Sequence, residues 1–170
     1  VLSKLKGYRK TVITGYRPLL LDEISSNLTS GEMYISPKID GELWFMIIES
    51  DEVVLSNTRG KLITGDIPLL SEVSKISKRF KGRVILVGEL FVASKESRPR
   101  VSDLASALGG GAKAEVEKLG FAAFDIISGG DLKSSMPLVH YKDRLALMQR
   151  LLADGKRVKC VKTEIINSPE

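Results

Sequence analysis

Five charged residues stand on or beside apolar, β-type runs: Lys38, Asp40, Arg59, Glu89 and Asp125. A charge at such a position either leaves a strand end for water or lines a cleft, because burial without a partner is costly. Cations there suit phosphates, and carboxylates suit a metal ion or ribose hydroxyls. The mixture of signs is what a nucleotide site needs.

Local sequence patterns predict the elements that hold these residues. Leu19, Leu20, Ile24 and Leu28 recur at helical spacing over residues 17–28, with Pro18 suited to a first turn. Residues 33–36 and 43–48 are short apolar runs, read as strands flanking the Asp40-Gly41 turn. Residues 53–56 continue a meander after the polar turn 49–52. Residues 68–80 return to helical spacing, 84–92 form a β-rich run around Gly88 and Glu89, and 121–127 read as another buried strand. Ser102 is expected to cap a helix that Gly109-Gly110-Gly111 breaks. Residues 141–152 form an amphipathic helix, with His140 at its start, and 157–166 a final strand. Hairpins and helices joining strands predict an α+β domain with largely antiparallel sheets.

The composition sets limits on the chemistry. The 170 residues suffice for one domain with a sizeable core, and no linker or repeat divides them. Lys and Arg outnumber Asp and Glu by 26 to 21, a net +5 that suits a polyanionic partner without identifying one. Cys160 is the only cysteine and His140 the only histidine, which excludes a disulfide framework and a zinc cluster of Cys and His. A metal would therefore be a hard ion held by oxygens, such as Mg²⁺. Cys160 itself reads as a small buried hydrophobe. No apolar run reaches the length of a membrane span and the first ten residues are too polar for a signal peptide, so a cytoplasmic protein is expected. Gly109-Gly110-Gly111 and Ser134-Ser135 read as loops, neither with the phosphate-loop pattern.

Lys38-Ile39-Asp40-Gly41 resembles the nucleotidyl-lysine motif of ATP-dependent DNA ligases, RNA ligases and mRNA capping enzymes. Alone, that pattern describes any lysine in a hairpin; the ordered series behind it makes the resemblance specific. Ser56-Asn57-Thr58-Arg59-Gly60-Lys61 is similar to the family's Ser-Arg-x-Gly segment. Leu86-Val87-Gly88-Glu89-Leu90 is similar to its Gly-Glu step inside an apolar strand. Residues 121–127 resemble its aromatic-Asp strand, and Tyr141-Lys142-Asp143-Arg144-Leu145 its Arg-Leu helix opening. The resemblance runs from about Arg17 to Leu152.

It implies a ligase-type nucleotidyltransferase domain in which Lys38 attacks the α-phosphate of ATP and is converted to lysyl-AMP. A lysine attacks phosphorus as the free amine, a form favoured by partial desolvation and by neighbouring cations such as Arg59. By the same resemblance, Ser36 and Pro37 contact adenine, and Arg59 holds the ribose or a phosphate. Phe124 stacks on the purine. Asp40 orients the lysine, and Asp40 and Glu89 serve as metal ligands for Mg²⁺, Glu89 alternatively binding the ribose. The AMP then passes to a 5′-phosphate end, and a 3′-hydroxyl displaces it to seal the strand. Nicked DNA is the expected nucleic-acid substrate.

Two departures qualify the substrate. Leu43 stands where the family often has Arg, a position that some RNA ligases also leave without one, so RNA ligation is the alternative. Guanylyl transfer of the capping type ranks lower. The family's later Glu-Gly and Lys-x-Lys strands have no counterpart in 1–170, since the lysines at 159 and 162 come too early. The chain is accordingly expected to be an incomplete adenylation domain without the oligonucleotide-binding barrel that usually follows. A catalytically silent nucleotide- or nucleic-acid-binding module of the same fold is the competing reading from another class.

Overall fold

The computed structural model describes residues 2–15, 17–27, 31–79, 82–93, 101–109, 115–128 and 140–167. They form two compact units, residues 1–38 with 161–170 and residues 39–160. The first unit carries helix α1 (Leu2–Gly15), the short helix α2 (Ile24–Asn27), and a two-stranded antiparallel sheet of β1 (Glu32–Ile35) and β8 (Glu164–Asn167).

The helix expected over 17–28 is much shorter. Residues 17–20 form neither helix nor strand, Leu20 is extended, and a 3-10 turn begins only at Leu21 before α2. The Glu23 carboxylate accepts the Leu20 N–H at 3.0 Å, which pins the start of the turn there. Leu20 and Leu21 are exposed, so the apolar spacing has no core face to stabilise a longer helix. Leu28 lies outside the described residues.

The second unit is built on a six-stranded sheet. Its strands are β2 (Glu42–Glu49), β3 (Glu52–Ser56), β4 (Leu62–Ile63), β5 (Val84–Val92), β6 (Leu119–Ser128) and β7 (Val158–Cys160), in the order β4-β3-β2-β5-β6-β7. Every pairing is antiparallel except that of β6 with β7. The fold is thus α+β with largely antiparallel sheets, as the sequence implies. The long apolar runs of β2, β5 and β6 occupy the middle of the sheet, where Trp44, Phe45, Leu86, Leu90 and Phe121 are fully buried. Each such side chain contributes about 1.5–3 kcal/mol on removal from water.

Helix α3 (Pro68–Ile76) buries Leu69, Leu70 and Val73 and packs on β3, β6 and β7. Pro68 opens it, where the missing N–H costs nothing. The helix ends at Ile76, before the expected limit. A 3-10 turn follows, with the Ser77 hydroxyl donating to the Ser74 carbonyl at 2.7 Å, and Phe80 lies outside the described residues. Helix α4 (Val101–Gly109) starts at Val101, so Ser102 lies inside its first turn and is not the cap. Gly109 ends it; Gly110, Gly111, Ser134 and Ser135 lie outside the described residues. Helix α5 (Tyr141–Leu151) buries Leu145, Met148 and Leu151 against β6 and β7, with His140 at its N-cap position.

The single strand expected over 157–166 is two. Val158–Cys160 pairs with β6 in one unit and Glu164–Asn167 with β1 in the other, and residues between them form no strand. A chain whose two ends pair with strands of different sheets must leave one ladder before joining the next. The start of β7 is set by Glu72 on α3. Its carboxylate accepts the backbone N–H groups of Lys156, Arg157 and Val158 at 2.8, 2.9 and 3.0 Å.

Candidate active site

The Asp40-Gly41 step meets β5 through close backbone packing. A Cβ placed on Gly41 would lie 2.4 Å from the Leu90 carbonyl oxygen and 3.3 Å from the Glu89 Cβ. Only a glycine permits that approach, because a real Cβ contact at such a distance would force the backbone of β5 to move. The glycine therefore brings the turn that carries Asp40 to the part of β5 that carries Glu89. Asp40 and Glu89 are both half-buried.

Strand register then places further residues on the Glu89 face. Glu89 pairs with Leu43 on one side and with Ala122 on the other, and Ala122 pairs with Lys159 of β7. Paired residues share a face, so Leu43, Glu89, Ala122 and Lys159 form one row across the sheet. The side chain between Glu89 and Lys159 is only a methyl group. Glu89 lies in a central strand, between β2 and β6.

Phe124 owes its setting to an irregularity. Gly88 pairs with Ala123 and Val87 with Asp125, which leaves Phe124 as the extra residue of a β-bulge. Phe124 is half-buried, whereas Asp125 is buried. Asp125 forms an ion pair with Arg144 of α5, Nε to Oδ1 at 2.6 Å. That partner is a helix side chain. Arg144 also stands over the Tyr141 ring, 5.5 Å from the centroid, and the Tyr141 hydroxyl donates to the Phe124 carbonyl at 3.4 Å.

Arg59 lies in the turn between β3 and β4. The Asn57 side-chain oxygen accepts the N–H groups of Arg59 and Lys61, each at 3.0 Å, and the Gly60 N–H donates to the Asn57 carbonyl. Asn57 is buried while Arg59 is exposed, so a rigid turn presents a solvated guanidinium. Because Ser56 pairs with Phe45 and β3 runs antiparallel to β2, this turn lies at the Gly41 end of the sheet. Ser36, Pro37 and Lys38 belong to the first unit. They follow β1 in a stretch with neither helix nor strand, and all three are exposed.

The second unit thus gathers Asp40, Gly41 and Glu89, with Arg59 at the same sheet end and Phe124 further along β6. Asn57, Arg144 and Lys159 are the residues that the turn, the ion pair and the strand register set beside them. Asn57 was foreshadowed by its turn-forming type, and Arg144 by the Arg-Leu step. Lys159 depends on a parallel pairing that no local pattern announces.

No protein-family model and no curated protein sequence matches this chain. Solved structures do. A mycobacterial DNA ligase D complexed with ATP and MES superposes with a TM-score of 0.59 at 19% identity, over 81% of this chain and 42% of that one. The ligase domain of M. tuberculosis LigD gives 0.57 at 19% identity, over 81% and 41%. The structure named Pmar-Lig_PreS3 gives 0.60 at 17% identity, over 81% and 32%. The chain therefore has the ligase-type nucleotidyltransferase fold and spans less than half the length of these chains.

Proposed function

We propose that this chain is the AMP-accepting part of an ATP-dependent polynucleotide ligase, with Lys38 as nucleophile and nicked DNA as the eventual substrate. The observation that carries the reading is the packing of Gly41 on β5, which joins the Lys-x-Asp-Gly turn to the strand bearing Glu89. A ligase-type fold that carries a Lys-x-Asp-Gly sequence has a direct chemical use.

In the first step the free amine of Lys38 attacks the α-phosphorus of ATP. A P–N bond forms, the bond from phosphorus to the oxygen bridging to the β-phosphate breaks, and pyrophosphate leaves as the amine loses a proton. Phe124 offers a face for the purine, and Ser36 and Pro37 keep the adenine role that the family resemblance gives them. Arg59 is a cation for phosphate or ribose.

Asp40 and Glu89 are hard oxygen donors suited to Mg²⁺, which commonly takes one or two carboxylates beside substrate phosphates and water. Among the described residues no three His, Cys, Asp or Glu side chains gather, so the remaining ligands in this scheme come from phosphate and water. Such an ion supplies charge stabilisation on the phosphates. Transfer of AMP to a 5′-phosphate and sealing by a 3′-hydroxyl complete the reaction of the whole protein. The net +5 charge agrees with a phosphate-tracking partner. No described helix is long and apolar enough to cross a membrane, and a cytoplasmic setting accompanies the proposal.

Intact-mass spectrometry after incubation with ATP and Mg²⁺ tests the assignment. The expected result is one AMP adduct on the native chain and none on Lys38→Ala. An adduct that persists in Lys38→Ala rejects the nucleophile, and an unmodified native chain rejects self-adenylation by these residues. In the full-length gene product, nicked DNA and nicked RNA duplexes compared side by side decide the substrate.

A further inference from the structure

We propose that Arg144 and Tyr141, in the first turn of α5, are positioning residues that lock the β6 bulge and thereby aim Phe124 at the nucleobase. The inference rests on the nucleotide reading above and assigns the part of the site that sets base binding. Strand alternation alone would put Phe124 on the face of Ala122 and turn Asp125 to the opposite face. That opposite face holds Phe121 and Ala123, both fully buried, together with Trp44, Leu86 and Leu90. The bulge changes this outcome: Asp125 instead pairs with Val87, on the face of Glu89 and Phe45.

Loss of the bulge would shift β6 by one residue and turn Asp125 to the opposite face. Asp125 would then carry its charge into an apolar layer, a placement that strongly opposes slippage only if the present register offers a better partner. Arg144 is that partner, at 2.6 Å. The Asp125 carboxylate also accepts the Ile126 N–H at 2.8 Å, which ties the ion pair to the backbone on the far side of the bulge. Tyr141 acts on the near side through the Phe124 carbonyl, and its ring supports the guanidinium. The extra residue of β6 is therefore held from both directions by one helix turn. Phe124, the extra residue, sits between these two anchors, and its backbone is held where they fix it.

The test measures ATP affinity by equilibrium dialysis on the whole chain, for native protein, Arg144→Gln, Arg144→Lys, Tyr141→Phe, Phe124→Leu and the Arg144→Gln/Phe124→Leu double variant. Loss of base stacking weakens binding about tenfold in Phe124→Leu. Arg144→Gln is expected to weaken it about as much, Arg144→Lys to restore part of the loss, and Tyr141→Phe to cost about threefold through one hydrogen bond. The double variant should bind no worse than Phe124→Leu, because Arg144 works through Phe124. Amide resonances of Phe124 and Ile126 should move in Arg144→Lys and Tyr141→Phe, the two variants most certain to fold. Native affinity and unmoved resonances in those two overturn the proposal while leaving the nucleotide reading intact. Multiplicative losses in the double variant overturn it equally, since they mean that Arg144 touches the ligand itself. A native chain that binds no ATP overturns the nucleotide reading, and with it this assignment.

Discussion

Replacing Glu72 by alanine should unfasten β7 from the rest of the second unit. One carboxylate oxygen accepts three successive N–H groups, from Lys156, Arg157 and Val158, and the other oxygen accepts Arg157 a second time at 3.1 Å. A hydrogen bond to a charged acceptor contributes about 1.5–3 kcal/mol net when it is isolated and dry. Here three donors share one half-buried group, and water can reach part of them after its removal, so the full multiple does not apply. The expected cost of Glu72→Ala is about 2–4 kcal/mol, a large share of the roughly 5–15 kcal/mol that holds a domain together. For a chain of this size a loss of 3 kcal/mol lowers Tm by about 6–12 °C. Glu72→Gln keeps an accepting oxygen and loses the charge, so it should fall between alanine and native. Urea denaturation supplies the free energies. Amide hydrogen exchange gives the site-specific reading, with faster exchange at residues 156–158 and unchanged rates in β2 and β3. An alanine variant within about 0.5 kcal/mol of native, a change typical of uneventful surface positions, would refute the claim that this carboxylate sets the start of β7.

Gly41→Ala forces a Cβ against the Leu90 carbonyl, and it should destabilise the second unit by about 1–3 kcal/mol while reducing adduct formation at Lys38. Denaturation together with intact-mass analysis checks both effects, and an alanine variant with native stability would mean that the close approach is not required. Burial pushes the Cys160 thiol above its ordinary pKa. The unfolded chain therefore releases this proton first as pH rises. The stability contributed by Cys160 is complete below the ordinary thiol pKa and is lost as pH climbs through the raised folded value. Cys160→Ala should flatten the alkaline arm of the stability curve, and the folded native thiol should react with iodoacetamide at pH 8 more slowly than the urea-unfolded chain does.

Much of this protein is local in origin. The apolar runs of β2, β5 and β6 and the spacing of α3 and α5 are periodic over short windows, and burial of one face suffices to select those elements. The charged residues on or beside the apolar runs, Asp40, Arg59 and Glu89 among them, likewise stand out locally, because charge in an apolar run needs a reason. Where local pattern had no core to serve, it misled: the leucines after Pro18 are exposed and sustain only a short turn and helix. The split of residues 157–166 was invisible for another cause. Both halves favour strand, and only their separate partners, β6 and β1, force the break.

The site divides in the same way. Sequence alone determined which groups could do chemistry and the order in which the chain presents them. The tertiary structure decided that Gly41 must be glycine because the Leu90 carbonyl lies against it, and that Phe124 is the odd residue of a bulge. It also decided that Asp125 belongs to Arg144, and that Lys159 shares a row with Glu89. Each of these depends on residues far apart in the chain, whose pairing is set by register and packing, and no local propensity encodes a register.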